Sequence, residues 1–262
     1  MLENILQIDE QERRIFSKHF LRGVIIELTF DADVRIFFEK GTYSDIFKEK
    51  KYDNCGEIEN TNFKITITDN TPVHEKTDET IGFFYVNNSN GNQVQIVHNR
   101  ILFTQNEYSN FDNFIEEIKY FFENVIFLIP YDIKKIGFRK INSIVVSEVD
   151  SYADITDLFN KELFTFIKSG LFEFDTLENY RDNFTLRKNN TKIIVNTACS
   201  KIQNLSRAYE VTIDEDIILE ESICKKDVVE ILAKINQMHF DLFCWLTSQK
   251  MKEVMEEKRL EL

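Results

Sequence analysis

The chain has 262 residues, 43% of them hydrophobic, which is enough for one large domain or two small ones with a sizeable core and excludes a disordered chain. With only 7 Gly and 2 Pro it contains no flexible linker. Acidic residues number 45 against 32 basic ones, a net charge of -13 that repels phosphate backbones and argues against non-specific nucleic-acid binding.

The opening MLENILQIDEQERR carries an acid at Glu3 and has no long apolar core, so it does not read as a secretory signal. No apolar run approaches the ~18 to 20 residues of a membrane span, and the expected location is the cytoplasm. The cysteines at 55, 199, 224 and 244 form neither a CxxC pair nor a set with paired histidines. Zinc, disulfides and other cofactors are therefore not expected, and the thiols read as idle.

In chain order, GVIIELTF (Gly23 to Phe30) is rich in β-branched residues and predicts a strand, followed by a short helix at YSDIFKEK. NFKITIT, IGFFYVNN and NQVQIVHNRILF predict three more strands, with a hairpin at NNSNGN, whose residues tolerate positive φ. Phe114, Ile115, Ile118, Phe121, Phe122 and Val125 then recur at helical spacing after a candidate cap at Ser109, and Pro130 closes the segment. A strand over KKIGFRKIN, Ile136 to about Val149, precedes a shorter helix through Ile155, Leu158, Phe159, Leu163 and Phe166 that ends near Gly170.

The second half offers strands at NFTLRK, TKIIVNTA and RAYEVTIDEDIILE, with Asn189 and Asn190 as a turn. Val228, Ile231, Leu232, Ile235, His239, Leu242 and Leu246 define a long helix, and Thr247 or Ser248 caps a terminal one. The tail MKEVMEEKRLEL reads as a solvated helical end.

Both halves thus read as strand, short helix, three strands, long helix. This predicts an α+β fold of two similar halves, 1–130 and 131–262, packed as a single compact unit. Each half is expected to be a mostly antiparallel sheet with a long helix across it, the arrangement of TBP-like and helix-grip duplications.

At KKIGFRKIN the chain resembles a sporadically distributed family of uncharacterised prokaryotic proteins of about this length, whose central motif is similar to R-I-G-L-R-Y-I-N. LRGVIIELTF resembles that family's opening strand, AYEVTIDED its Y-x-L-D-I-D strand, and LAKINQMHFDLFCWLTSQKMKEVM its closing helix. Lys140 stands where the family tends to have Tyr, and Thr212 where it tends to have the first Asp of D-I-D. The resemblance implies no established activity; the patchy occurrence of the family implies a role in defence against phage.

Strand alternation places Gly137, Arg139 and Ile141 on one face. Arg139 is expected to pack inward beside the space left by Gly137, with Asp214 as its partner. His239 lies in the apolar stripe of the last helix, so Arg139, Asp214 and His239 are candidates for a catalytic group in which His239 is the general base, Asp214 orients it and Arg139 holds an anion. The plainer reading is a strand Arg paired with a carboxylate and a satisfied core histidine, and it carries the greater weight.

No activated Ser or Cys nucleophile accompanies these residues, and the acidic run from Asp214 to Glu221 lacks the spacing of a calcium loop. The leading expectation is a non-enzymatic binding or regulatory protein that recognises a partner protein or a ligand, as an accessory of a defence system. The alternatives are a hydrolase or nuclease built on Arg139, Asp214 and His239, and an acidic nucleic-acid mimic or inhibitor. The sequence leaves self-association open.

Overall fold

A computed structural model describes residues 2–12, 14–16, 20–68, 71–167, 172–173, 176–203, 205, 207–255 and 257–259 of the chain. The fold is α+β. Its strands are β1 (Arg14–Phe16), β2 (Leu21–Phe30), β3 (Asn54–Thr68), β4 (Thr71–Val86), β5 (Gln93–Val97), β6 (Arg100–Gln105), β7 (Ile133–Val146), β8 (Asn179–Lys188), β9 (Thr191–Lys201), β10 (Tyr209–Leu219) and β11 (Glu257–Arg259). Its helices are α1 (Ser44–Glu49), α2 (Phe111–Asn124), α3 (Tyr152–Thr156), α4 (Val228–Leu246) and α5 (Gln249–Val254).

Nine strands form one large antiparallel sheet in the order β3-β4-β5-β6-β2-β7-β10-β9-β8, and β1 pairs with β11 in a separate two-stranded ribbon. The chain divides into two compact units: Met1–Val24 with Gly137–Glu220 and Asp227–Leu262, and Ile25–Ile136 with Glu221–Lys226. The tail is not simply a helical end, because Glu257–Arg259 pairs with Arg14–Phe16. The helix expected through Leu163 and Phe166 stops at Thr156, and residues 157–166 form turns and a bridge to Thr247 instead of further α-helix; its expected end near Gly170 lies outside the described residues.

In the Ile25–Ile136 unit, alternation along β2 buries Ile26, Leu28 and Phe30. The stripe of α2 buries Phe114, Ile115, Ile118, Phe121 and Phe122 in the same unit. Asn110, not Ser109, caps this helix: its side chain accepts from Asn113 N at 2.8 Å, and both residue types cap well, so position in the chain decides between them. NQVQIVHNRILF is two strands rather than one, because His98 adopts φ +52° and the chain reverses between Val97 and Arg100. The Asn99 side-chain amide secures that turn by donating to Phe30 O at 2.9 Å. Gly91, at φ +70°, supplies the left-handed residue of the expected hairpin between β4 and β5.

In the other unit, β10 buries every second residue completely: Tyr209, Val211, Ile213, Glu215 and Ile217. β9 adds Ile193, Val195 and Cys199 in the same phase, and α4 contributes Leu232, Ile235, His239, Leu242 and Leu246 to the same core. Asn189, at φ +49°, turns β8 into β9, and Ser248 caps α5 by accepting from Met251 N at 3.2 Å. Among the described residues no helix is long and apolar enough to cross a membrane.

Candidate functional site

The three candidate residues all lie in the unit that contains α4, but on two faces of its sheet. Asp214 and Glu215 are consecutive on a strand, so their side chains leave on opposite sides, and the same holds for Arg139 between Phe138 and Lys140. Each polar cluster of the site follows from this alternation.

On the face away from the α4 core, Arg139 and Asp214 form a bidentate ion pair: Nε donates to Oδ1 and an Nη to Oδ2, both at 2.7 Å. Asn196, directly opposite Asp214 on β9, adds a longer contact from its side-chain amide at 3.4 Å. The paired carboxylate raises the Arg139 guanidinium pKa further, so the side chain is charged at every working pH. The pair is not packed inward as expected, since the Arg139 side chain is 44% exposed and that of Asp214 13%. Ile136 and Phe138 hold the core phase of β7, both at 0% exposure, which leaves Arg139 on the solvent phase.

An ion pair in such partial exposure is worth at most about 1 kcal/mol, since water screens both charges. In a double-mutant cycle, Arg139→Met and Asp214→Asn should each cost about 1 kcal/mol or less, with a coupling energy below ~1 kcal/mol by urea denaturation. A coupling of several kcal/mol would place the pair in a dry environment that this geometry does not provide.

His239 is 1% exposed, and its partner is Glu215 rather than Asp214. Its Nε2 lies 2.8 Å from Phe138 O and its Nδ1 3.0 Å from Glu215 Oε2. A carbonyl oxygen only accepts, so Nε2 carries a hydrogen and donates it. The Nδ1 contact is a hydrogen bond only with a second proton between nitrogen and oxygen, and the pair is then neutral as a whole wherever that proton sits. Burial holds the imidazole below its ordinary pKa, against the opposing pull of the Glu215 carboxylate. The Phe138 ring meets the imidazole edge-on at 5.2 Å. Beside it, Lys140 Nζ donates to Asn236 Oδ1 at 2.7 Å and lies over the Phe138 ring.

With both ring nitrogens engaged in internal hydrogen bonds, His239 has no free nitrogen with which to take a substrate proton. The geometry therefore brings Arg139 to Asp214, and His239 to Glu215, without bringing the two pairs together. Glu215 and Lys140 are absent from the candidate set read from the sequence. The signal for Glu215 was present: continuing the apolar alternation Tyr209, Val211, Ile213 by one step gives Glu215 and then Ile217. An acid in the core phase of a strand needs a buried partner, and His239 is the residue in the facing stripe able to supply one.

Other titratable groups follow burial. Cys199 is enclosed and its thiol is pushed up to about 12, while Cys55 and Cys224 are exposed. Among the described residues no group of three or more His, Cys, Asp or Glu is arranged to hold a metal ion. No protein-family model, no curated protein and no solved structure matches this chain.

Proposed function

We propose that this is a non-enzymatic binding protein that recognises a partner protein through the open sheet face carrying Arg139 and Asp214. The observation that supports the reading best is the division of the candidate catalytic residues between two faces, one pair neutralised in solvent and the other sealed in the core. The open face joins exposed polar residues, Arg181, Asn183 and Asn196, to half-buried apolar ones such as Ile141 and Ile194. Such a mixture, with Arg prominent, suits a protein interface better than a reaction site.

The finer architecture belongs to the same proposal. Outward from β2 the sheet runs β6, β5, β4, and outward from β7 it runs β10, β9, β8, which supports a duplicated unit of TBP-like kind with β3 as an addition to the first copy. The resemblance at KKIGFRKIN extends the proposal to an accessory role in prokaryotic defence against phage. Phage plating on cells with and without the protein tests that extension.

The binding reading is tested by affinity capture from the native host. A partner held by the wild-type chain should be lost on Arg139→Glu, which sets like charges against Asp214, and retained by the control Lys119→Glu on α2. Retention by both variants would remove the proposed face from consideration. Sustained turnover of an ester or phosphodiester, abolished by His239→Ala in a protein that remains folded, would replace the reading with the hydrolase alternative.

A further inference from the structure

On the α4 side of the sheet, opposite the proposed partner face, lies a cavity of ≈ 130 Å³. Its wall includes the rings of Phe20, Phe240 and Phe243, together with Lys140, Asn142 and Glu215. A dry apolar cavity of about 150 Å³ is large enough to take up benzene, so this one has room for a molecule of roughly that size.

One wall group is not satisfied by the protein. Glu215 is 1% exposed and commits Oε2 to His239, but among the described residues Oε1 has no hydrogen-bond partner. A buried acceptor in that condition carries a penalty of ~1 to 3 kcal/mol. Oε1 is itself enclosed, so a donor in the adjoining cavity removes that penalty once the Glu215 carboxylate turns toward it. The rest of the wall sets what carries that donor. A cation is opposed by the Lys140 ammonium, an anion offers Oε1 no hydrogen, and the phenylalanine rings call for an apolar body.

We infer that the cavity beside Glu215 and His239 binds a small uncharged hydroxylic molecule, a phenol or compact alcohol, whose O–H donates to Glu215 Oε1 while its hydrocarbon body packs on Phe20, Phe240 and Phe243. The site is separate from the partner face and stands whether or not that face binds a protein.

Calorimetry and thermal melting of the full chain with phenol, benzene and cyclohexylammonium test it. Phenol should bind saturably at one site and raise Tm, benzene should bind about tenfold more weakly for want of the hydrogen bond, and cyclohexylammonium should not bind. Leu21→Phe, which adds bulk to the cavity wall, should abolish phenol binding in a chain that still melts cooperatively. Should that variant fail to fold, the wild-type imidazole signals of His239 decide, because Nδ1 shares the carboxylate: they should shift on addition of phenol and not of cyclohexylammonium. Equal affinity for phenol and benzene, phenol binding retained by folded Leu21→Phe, or unmoved His239 signals would each overturn the inference.

Discussion

Phe121→Ala should destabilise the protein by about 3 to 5 kcal/mol, read from the midpoint and slope of urea unfolding. Phe121 is 1% exposed and is the hub of an aromatic cluster in the Ile25–Ile136 unit. Phe47, Tyr52, Phe103 and Tyr120 surround it with ring centroids at 5.0, 5.6, 5.8 and 5.7 Å, and Tyr85 stacks on Phe47 at 3.8 Å. Truncation removes the ring's hydrophobic transfer and its contacts with four neighbouring rings at once, edge-on for Tyr52 and Tyr120 and tilted for Phe47 and Phe103, and rings fixed in mutual contact cannot collapse into the space. Phe121→Leu, which refills most of the volume, should cost no more than about 1.5 kcal/mol.

The same cluster gives the protein an alkaline limit. Burial pushes the Tyr85 phenol up to about 12, and burial together with the Glu117 carboxylate that accepts from Tyr52 raises Tyr52 as well. A phenol whose folded pKa exceeds its unfolded value of ~10 contributes stability that is complete below pH ~10 and is lost as pH rises above it. Tyr85→Phe should flatten part of that loss; an unchanged slope would assign the alkaline transition to other groups.

The second large effect is expected at His239→Ala. Removing the imidazole leaves the buried Glu215 carboxylate without its one partner among the described residues, and breaking a buried pair from one side costs about 3 to 5 kcal/mol. This is several times the effect expected at Arg139, although the two positions look alike as polar residues in apolar surroundings. The double variant His239→Leu with Glu215→Met should be more stable than either single variant, because two apolar side chains satisfy a core that one stranded charge does not. Additive losses in that cycle would mean that Glu215 finds compensation elsewhere.

These contrasts show what the sequence could and could not convey. The core phase of β10 and the stripe of α4 were legible because alternation and helical spacing are local properties, and His239 fell into the stripe with its apolar neighbours. The expected partner of His239, Asp214, is one residue from the actual one, Glu215, since both are acids toward the end of one strand and only the phase separates them. Gly137 and Ile141 beside Arg139 suggest an inward-facing phase, whereas Ile136 and Phe138 carry the buried face. The turn at His98 was hidden by the continuous apolar character of NQVQIVHNRILF, in which one residue with positive φ makes two strands of one. The placement of residues 1–24 with the C-terminal part of the chain depends on contacts that no local pattern records.

That last placement bears on how the chain acquires its structure during synthesis. Gln11 N donates to Asp241 Oδ1 at 2.8 Å, Gln237 Nε2 donates to Gln11 O at 3.0 Å, and Glu3 N donates to Thr191 Oγ1 at 3.2 Å. Residues 3 and 11 therefore wait for partners 188 to 230 residues further along the chain, while the 25–136 unit already has its own core available. At roughly 5 to 20 residues per second, translation of the intervening stretch takes ten seconds or more, far longer than closure of local helices and hairpins. The backbone of Gln11 can therefore take up its contacts only once α4 has emerged.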